Sequence, residues 1–291
     1  MTDITTDLVA ALVAEQFPAW ADLGVAPVAR QGWDNRTYRL GTDLTVRLPS
    51  GGAYVAAVAK EDRCLPALAE HLPVPVPVPV ATGRPSADYP HPWSVRRWLK
   101  GDTVQDTPGL DRAQLARDLG AVLTALRAAP TGDGPVAGRH SFFRGRHPSA
   151  YADEVQQSLR LLADIVDVPA CEAVWAQAMG TVWTGPPVWF HGDIAVGNLL
   201  TAEGRLSALI DFGTCGIGDP AADLEITWTY FTGDERAIFR EAAGLDDDTW
   251  ARARGWALWK ALATMAGLSS PDPEGLQRRI LFEVLADPLT D

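Results

Sequence analysis

The sequence predicts an α+β chain of two unequal lobes: a small strand-rich N-terminal part and a larger helical part carrying one short β insert. Three observations carry this expectation. β-type runs and turn residues dominate before about residue 98, helical periodicity takes over from Leu110, and strand signals return only between Val188 and Ile210.

Taken in order, Leu8, Val9, Leu12, Val13 and Phe17 recur at helical spacing behind Thr5-Thr6-Asp7, whose side chains can cap an opening helix. Residues 37–40 and 44–48 flank Gly41-Thr42-Asp43 and read as a hairpin. Residues 54–72 show helical periodicity, with Pro66 inside to kink or split the helix. The alternating Val-Pro run that follows must be extended, because each proline fixes φ and pushes its predecessor out of the α region. It leads toward a further strand, and residues 93–99 read as another. Lys100-Gly101-Asp102 closes this part, so an N-terminal lobe over 1–98 and a C-terminal lobe over 99–291 are expected. Leu115, Leu119, Val122, Leu123 and Leu126 form one helical stripe, and residues 151–165 and 171–179 form others. Strand signals at 188–190, 199–200 and 206–210 enclose a Glu203-Gly204 turn, and helices are expected again over 221–231, 250–265 and 276–285.

Composition excludes several classes. The chain has 291 residues, 47% hydrophobic and 21% charged, with a formal net charge of −12. An acidic chain is a poor partner for a phosphate backbone, so no nucleic acid is expected. Such a surface would concentrate a cationic small molecule, although acidity also serves solubility alone. Cys64, Cys171 and Cys215 are scattered without metal-ligand or disulfide spacing, as in a reducing cytosol. Neither a signal peptide nor a membrane span is expected: the N-terminus is acidic, and the most apolar run, 72–80, is broken by four prolines.

The chemistry is concentrated in His191-Gly192-Asp193-Ile194-Ala195-Val196-Gly197-Asn198, followed by Ile210-Asp211-Phe212-Gly213. Four residues (194–197) separate Asp193 from Asn198, and twelve (199–210) separate Asn198 from Asp211. In strand–loop–hairpin–loop context this is the layout of a kinase catalytic loop and its metal loop. A triphosphate gathers several negative charges, so its transfer requires a divalent cation on hard oxygen ligands, here the Asp211 carboxylate and the Asn198 amide. Asp193 sits where a carboxylate can accept or orient the proton of an attacking hydroxyl. Singly, Asp193 and Asn198 would be turn residues; the joint spacing of all three points to chemistry. His191 reads as a brace for the loop, Asp219 before Pro220 as a helix cap, and Asp223 as a second brace.

Continued as Gly216-Ile217-Gly218-Asp219-Pro220-Ala221-Ala222-Asp223-Leu224, the segment closely resembles the aminoglycoside phosphotransferase family, macrolide kinases included. That family's pattern is HGD, four residues, N, then I-D-[FW] and G-D-P-x-x-D-L. Gly32-Trp33-Asp34-Asn35-Arg36-Thr37-Tyr38 is similar to its nucleotide-covering hairpin, and the match runs from about residue 25 to residue 265. The resemblance implies a protein-kinase-like bilobal fold, ATP or GTP as phosphate donor, Mg²⁺, and a small-molecule hydroxyl as acceptor. It implies Asp193 as catalytic base, Asn198 and Asp211 as Mg²⁺ ligands, and Arg97, Trp98 and Leu99 as the residues presented to the nucleotide base. Where the kinase pattern has a phosphate-holding lysine paired with a helix glutamate, this sequence offers Arg47 and Glu61, with Lys60 as an alternative cation.

For the acceptor, Asp153, Glu154, Asp234, Glu235 and Glu283 are candidate partners of a cationic ligand, and each also reads as ordinary solvated helix surface. Trp228, Trp250, Trp256 and Trp259 could line a pocket or fill a core. Aminoglycosides, macrolides and other alcohols remain open as acceptors. Two rivals stand beside the kinase reading: a nucleotide-binding pseudokinase, suggested by the departure at Arg47, and a metal-dependent hydrolase, which would need more carboxylate or histidine ligands.

Overall fold

The computed structural model describes residues 3–32 and 34–287; Trp33 of the expected nucleotide-covering hairpin and the first two residues lie outside the described residues. In chain order the elements are α1 (Thr6–Gln16), β1 (Val25–Pro27), β2 (Asn35–Leu40), β3 (Leu44–Pro49), α2 (Val55–Ala69), β4 (Pro79–Gly83), β5 (Trp93–Arg97) and β6 (Asp102–Thr103). There follow α3 (Arg112–Ala128), α4 (Ala152–Leu161), α5 (Val168–Met179), β7 (Val188–Phe190), β8 (Leu199–Ala202), β9 (Arg205–Leu209), β10 (Gly216–Gly218), α6 (Ile226–Thr229), α7 (Asp234–Ala243), α8 (Asp247–Met265) and α9 (Leu276–Ala286).

The N-terminal lobe is a five-stranded antiparallel sheet in the order β1-β2-β3-β5-β4. Tyr38 and Leu40 of β2, Val46 and Leu48 of β3 and Trp93 and Val95 of β5 pack with Val9, Leu12 and Val13 of α1. Thr5 starts that helix by accepting the Leu8 N–H at 3.2 Å. Strand alternation then decides the site: with Val46 and Leu48 in this core, Arg47 must project from the opposite face, toward α2. Pro66 does not split α2, which runs unbroken because Val58, Cys64, Leu65 and Leu68 are buried along it. That burial outweighs the single hydrogen bond a proline removes.

Between the lobes the chain turns at Gly101 (φ +134°), where a Cβ would come within 2.7 Å of Ser207 Oγ and 2.8 Å of the Thr201 carbonyl. Beyond it, β6 joins β8 and β9 in a three-stranded sheet, and β10 pairs antiparallel with β7. The helical core is built on α8, with α5 and α9 against it and α3 against α7. Trp228, Trp250, Trp256 and Trp259 are all buried there, so the core reading holds for the set.

Three expectations change. Residues 221–231 are not one helix: a 3-10 turn over Pro220–Leu224 precedes α6, because Asp219 takes the Ala221 N–H (3.0 Å) while Asp223 turns inward to other donors. The helix expected over 151–165 ends at Leu161. The short strands β1, β6 and β10 and the helix α7 were not signalled; α7 buries only Phe239 and Ala243, too thin a stripe to register.

Asp219 also binds Arg252 of α8, Oδ2 to Nε at 2.6 Å, with the side chains 6% and 1% exposed. This pair fixes the segment after β10 to the central helix. Asp219→Ala strands a buried guanidinium and should destabilise the fold by about 3–5 kcal/mol, read as a lower urea midpoint at unchanged slope. Adding Arg252→Met should recover part of that loss; a single variant as stable as wild type would show that the pair holds nothing.

Candidate active site

The loop between β7 and β8 is held by its backbone. His191, fully buried, accepts the Asp193 N–H at Nδ1 (3.2 Å) and donates from Nε2 to the Ile210 carbonyl (3.0 Å), so it is the neutral Nε2–H tautomer. The N–H groups of His191 and Gly192 both donate to the Asp223 carboxylate, at 2.8 and 2.6 Å. Burial raises the Asp223 pKa, opposed by these two N–H bonds. Gly192 is left-handed (φ +84°), and a Cβ there would meet Thr214 Oγ1 at 3.0 Å. His191 and Asp223 thus both occupy bracing positions.

Asp193 itself is exposed. Asn198 Nδ2 donates to its carbonyl (2.9 Å) and to its Oδ2 (3.0 Å), which leaves the Asn198 Oδ1 lone pairs for another partner. Asp211 follows β9 in the left-handed region (φ +68°), which Asp tolerates better than most side chains.

Arg47 links the lobes. Its Nη2 donates to Asp211 Oδ1 at 3.1 Å and its Nη1 to Glu61 Oε1 at 3.4 Å. Arg96, 1% exposed, takes the other Glu61 oxygen at 2.8 Å. Burial works to raise the Glu61 pKa, but Arg96 and Arg47 overcome it and hold the carboxylate below its ordinary value. Arg47 is held charged in the same way, Glu61 and Asp211 outweighing burial. Lys60, next in sequence to Glu61, points elsewhere: its Nζ donates to the Gly213 carbonyl (2.6 Å) and the His140 carbonyl (3.2 Å). It therefore ties down the loop after Asp211 and does not reach the cleft. Burial lowers its pKa.

A cleft of about 470 Å³ lies between the sheet and the helical lobe. Arg47, Arg97, Trp98 and Leu99 line it from one side, and Asn198, Ile210 and Asp211 from the other; Glu61 sits behind Arg47. The Trp98 N–H donates to the Asp43 carbonyl (2.8 Å), and Arg39 covers its ring at 3.9 Å, so Trp98 is fixed from outside the cleft. Asp34, missed as a site residue, also lines the cleft; burial and the neighbouring Asp211 raise its carboxyl to about 6. Arg30 and Asp106, from opposite lobes, close a 2.7 Å ion pair in the cleft wall. No sequence signal marked either.

Of the acidic acceptor candidates, none lines this cleft. Glu235 pairs with Arg112 (2.9 Å) and Glu283 with Arg236 (2.6 Å), while Asp153 and Asp234 are exposed in first helical turns. Glu154 acts electrostatically on Tyr151 and Lys260. A different set surrounds Asp193: burial, opposed by Arg144 and Lys260 and aided by Asp193 and Asp223, raises Glu225 to about 7.

Asn198 Oδ1 and the Asp211 carboxylate are two hard oxygens on one wall of the cleft. This donor set fits Mg²⁺, which binds through one or two protein oxygens and otherwise through phosphate and water. Among the described residues no three His, Cys, Asp or Glu side chains converge as a metal site, so the many-ligand centre of a metal-dependent hydrolase is not formed there. Among the described residues, too, no helix is long and apolar enough to cross a membrane.

A two-lobed α+β chain with Asp193, Asn198 and Asp211 gathered where the lobes meet has the fold and loop order of kinase-like phosphotransferases. The match of residues 25–256 to the phosphotransferase enzyme family model shows that the chain belongs to that family. Aminoglycoside 3'-phosphotransferase from Escherichia coli is 29% identical over 119 residues, 40% of this chain; the match spans only 35% of that protein's length. Among solved structures, the GDP complex of aminoglycoside 2'-phosphotransferase-IIIa superposes with a TM-score of 0.71 at 19% identity, covering 98% of this chain and 99% of the other. The macrolide 2'-phosphotransferase MphH from Brachybacterium faecium gives 0.62 at 23% identity, covering 98% and 100%. At these identities the likeness is one of fold. The non-catalytic alternative gains no support from any of these relatives.

The bracing geometry is testable directly. Asp223→Asn exchanges one carboxylate oxygen for an amide that cannot accept, leaving one buried loop N–H unpaired. A loss of about 1–3 kcal/mol is expected, with faster hydrogen exchange at Gly192. Unchanged stability and exchange would mean that the loop is held by other contacts.

Proposed function

We propose that this enzyme transfers the γ-phosphoryl group of ATP or GTP, with Mg²⁺, to a hydroxyl of a small molecule. One observation carries the reading: Arg47, Asn198 and Asp211 line a single cleft, and Asp193 stands free of it on the same loop as Asn198. In this reading the acceptor oxygen forms a bond to the γ-phosphorus as the bond to the β-phosphate oxygen breaks, and the nucleoside diphosphate leaves. Asp193 orients the hydroxyl and takes its proton. Arg47, held by Glu61, binds the α- and β-phosphates, while Arg97, Trp98 and Leu99 border the nucleotide base. Asn198 Oδ1 and Asp211 would hold the metal, which when bound neutralises developing phosphate charge.

The relatives named above act on aminoglycosides and macrolides, and those two antibiotic classes bracket the acceptors to be tried first. We place the lobe boundary at residues 98–99 and the protein in the cytosol, where nucleoside triphosphates are abundant; the net charge of −12 argues against nucleic acid as substrate.

Two sets of variants test the roles. Arg47→Ala removes a charge-assisted phosphate contact and should weaken nucleotide binding by roughly 10- to 100-fold, while Arg47→Lys keeps a good part of it. Wild-type calorimetry in both would take Arg47 out of the site. Asp193→Asn should leave Mg²⁺–nucleotide affinity nearly unchanged while turnover falls by about 10²–10⁴. Asp211→Asn should damage metal dependence and productive nucleotide binding together. The same binding defect in both aspartate variants would refute this division, and an Asp193→Asn enzyme with normal turnover would remove the base.

A further inference from the structure

Outside the nucleotide cleft, a second group of side chains gathers beside Asp193. It begins at Phe142 and Phe143, consecutive aromatic residues in the left-handed region (φ 48° and 57°), a conformation that bulky side chains hold only where their surroundings impose it. Here the Tyr151 hydroxyl donates to the Phe142 carbonyl (3.0 Å), the Phe143 N–H to the Gly138 carbonyl (2.8 Å), and the Ser141 hydroxyl to the Arg144 carbonyl (2.8 Å). The turn sets the Arg144 guanidinium 4.8 Å from the centre of the Trp259 ring and its Cβ against Gly192 of the catalytic loop. Lys260, on α8, reaches the same indole at 5.9 Å and donates to the Ser269 hydroxyl at 2.8 Å.

Two features of this group lack a counterpart within the protein. Arg47, Arg96 and Arg252 are each paired with a carboxylate, but among the described residues neither Arg144 nor Lys260 forms an ion pair. The indole N–H groups of Trp256 and Trp259, both buried, also have no acceptor among the described residues. Glu225 feels both cations yet hydrogen-bonds to neither, and with its carboxyl raised to about 7 it carries only part of a charge at neutral pH. Phe142 and Phe143, 52% and 36% exposed, add an apolar surface.

We infer that this cluster is the acceptor subsite and that it selects a hydroxylated molecule with an apolar face and a carboxylate or carbonyl oxygen, in preference to a polyamine. The inference rests on the phosphoryl-transfer reading for what happens at Asp193, but the binding preference is separable from it. Arg144 Nη1 donates to the Phe142 carbonyl at 3.4 Å, and its remaining guanidinium donors suit a planar oxygen pair. An ammonium group in the same place meets two like charges, against Asp193, Glu154 and a half-protonated Glu225.

Phenyl glucuronide, phenyl glucoside and phenyl glucosaminide share one scaffold and carry a carboxylate, no charge and an ammonium group in turn. Their binding is measured by calorimetry on the full-length protein with Mg²⁺ and nucleoside diphosphate present. The glucuronide should bind about tenfold more tightly than the glucosaminide, the effect of one charge-assisted contact. Arg144→Gln should erase that difference and Arg144→Lys restore part of it, with thermal unfolding reporting that both variants fold. Equal binding of all three, tightest binding of the glucosaminide, no binding of any, or an equal loss for all three in Arg144→Gln would each overturn the inference. If the charge preference holds while no bound acceptor stimulates release of nucleoside diphosphate from the triphosphate, the phosphoryl-transfer assignment fails and the subsite stands. The reverse pattern isolates the failure here.

Discussion

The guanidinium of Arg47 lies between two carboxylates from different lobes, Glu61 of α2 at 3.4 Å and Asp211 at 3.1 Å. Other parts of the cleft are arranged around that charge. β3 must pair in its observed register for Arg47 to leave the sheet on this face, since a one-residue slip would bury the arginine among Val9, Leu12 and Val13. α2 must present Glu61, and does so with Arg96 behind it, so a buried carboxylate with two cationic partners stays charged. A lysine could satisfy one of these carboxylates as a point charge, whereas the planar fork of arginine has a separate donor for each. The departure from the lysine of the kinase pattern is therefore consistent with a bridging role, with Arg96 sharing the load on Glu61. Removing either end of such a buried chain leaves an uncompensated charge, which is why its members depend on one another more strongly than any single distance suggests.

The catalytic loop is organised on a different principle. The base proposed for it, Asp193, is exposed, and order comes from beneath: Asp223 collects two backbone N–H groups, His191 spans from Asp193 N–H to the Ile210 carbonyl, and Thr214 donates to the His191 carbonyl. Lys60 fastens the neighbouring loop at Gly213 from the other lobe. Positioning that acts through backbone leaves the Asp193 carboxylate exposed, held at Oδ2 by the Asn198 amide, and it removes much of the reorganisation that chemistry would otherwise require.

What the sequence revealed follows from the range of the signal. The spacing of Asp193, Asn198 and Asp211 is local, set by one loop and one hairpin, and it was readable without any knowledge of packing. Arg47 and Glu61 were singled out by the resemblance to the kinase lysine–glutamate pattern, and strand alternation in β3 brings the two side chains to 3.4 Å. Lys60 shows the limit: both its placement and its partners, Gly213 and His140, are tertiary, and adjacency to Glu61 suggested a role in the cleft that its side chain does not take. The Arg30–Asp106 pair was invisible for the same reason, and Asp34, though inside the segment likened to the nucleotide-covering hairpin, was not singled out. β6 and β10 have two and three residues, too few to establish a period, and exist because β8 and β7 offer them partners. The carboxylates proposed for a cationic acceptor were chosen by charge alone, and arginines from other helices claim Glu235 and Glu283.

That last point bears on how net charge should be weighed. A total of −12 describes the whole surface, yet exposed carboxylates more than about 8 Å away are largely screened at physiological ionic strength. The field at the hydroxyl of the proposed acceptor would be set by what stands within that distance and is partly shielded from water. Asp193 acts there on Lys260 and Glu225, and Arg144 acts on both of them as well. Seated on indole faces, the two cations are weakly hydrated on one side, which strengthens their pull on an incoming oxygen relative to free side chains. Under the proposed reading, an acidic protein can in this way keep two cations at its acceptor site, and the acidity outside it serves solubility and the approach of solutes.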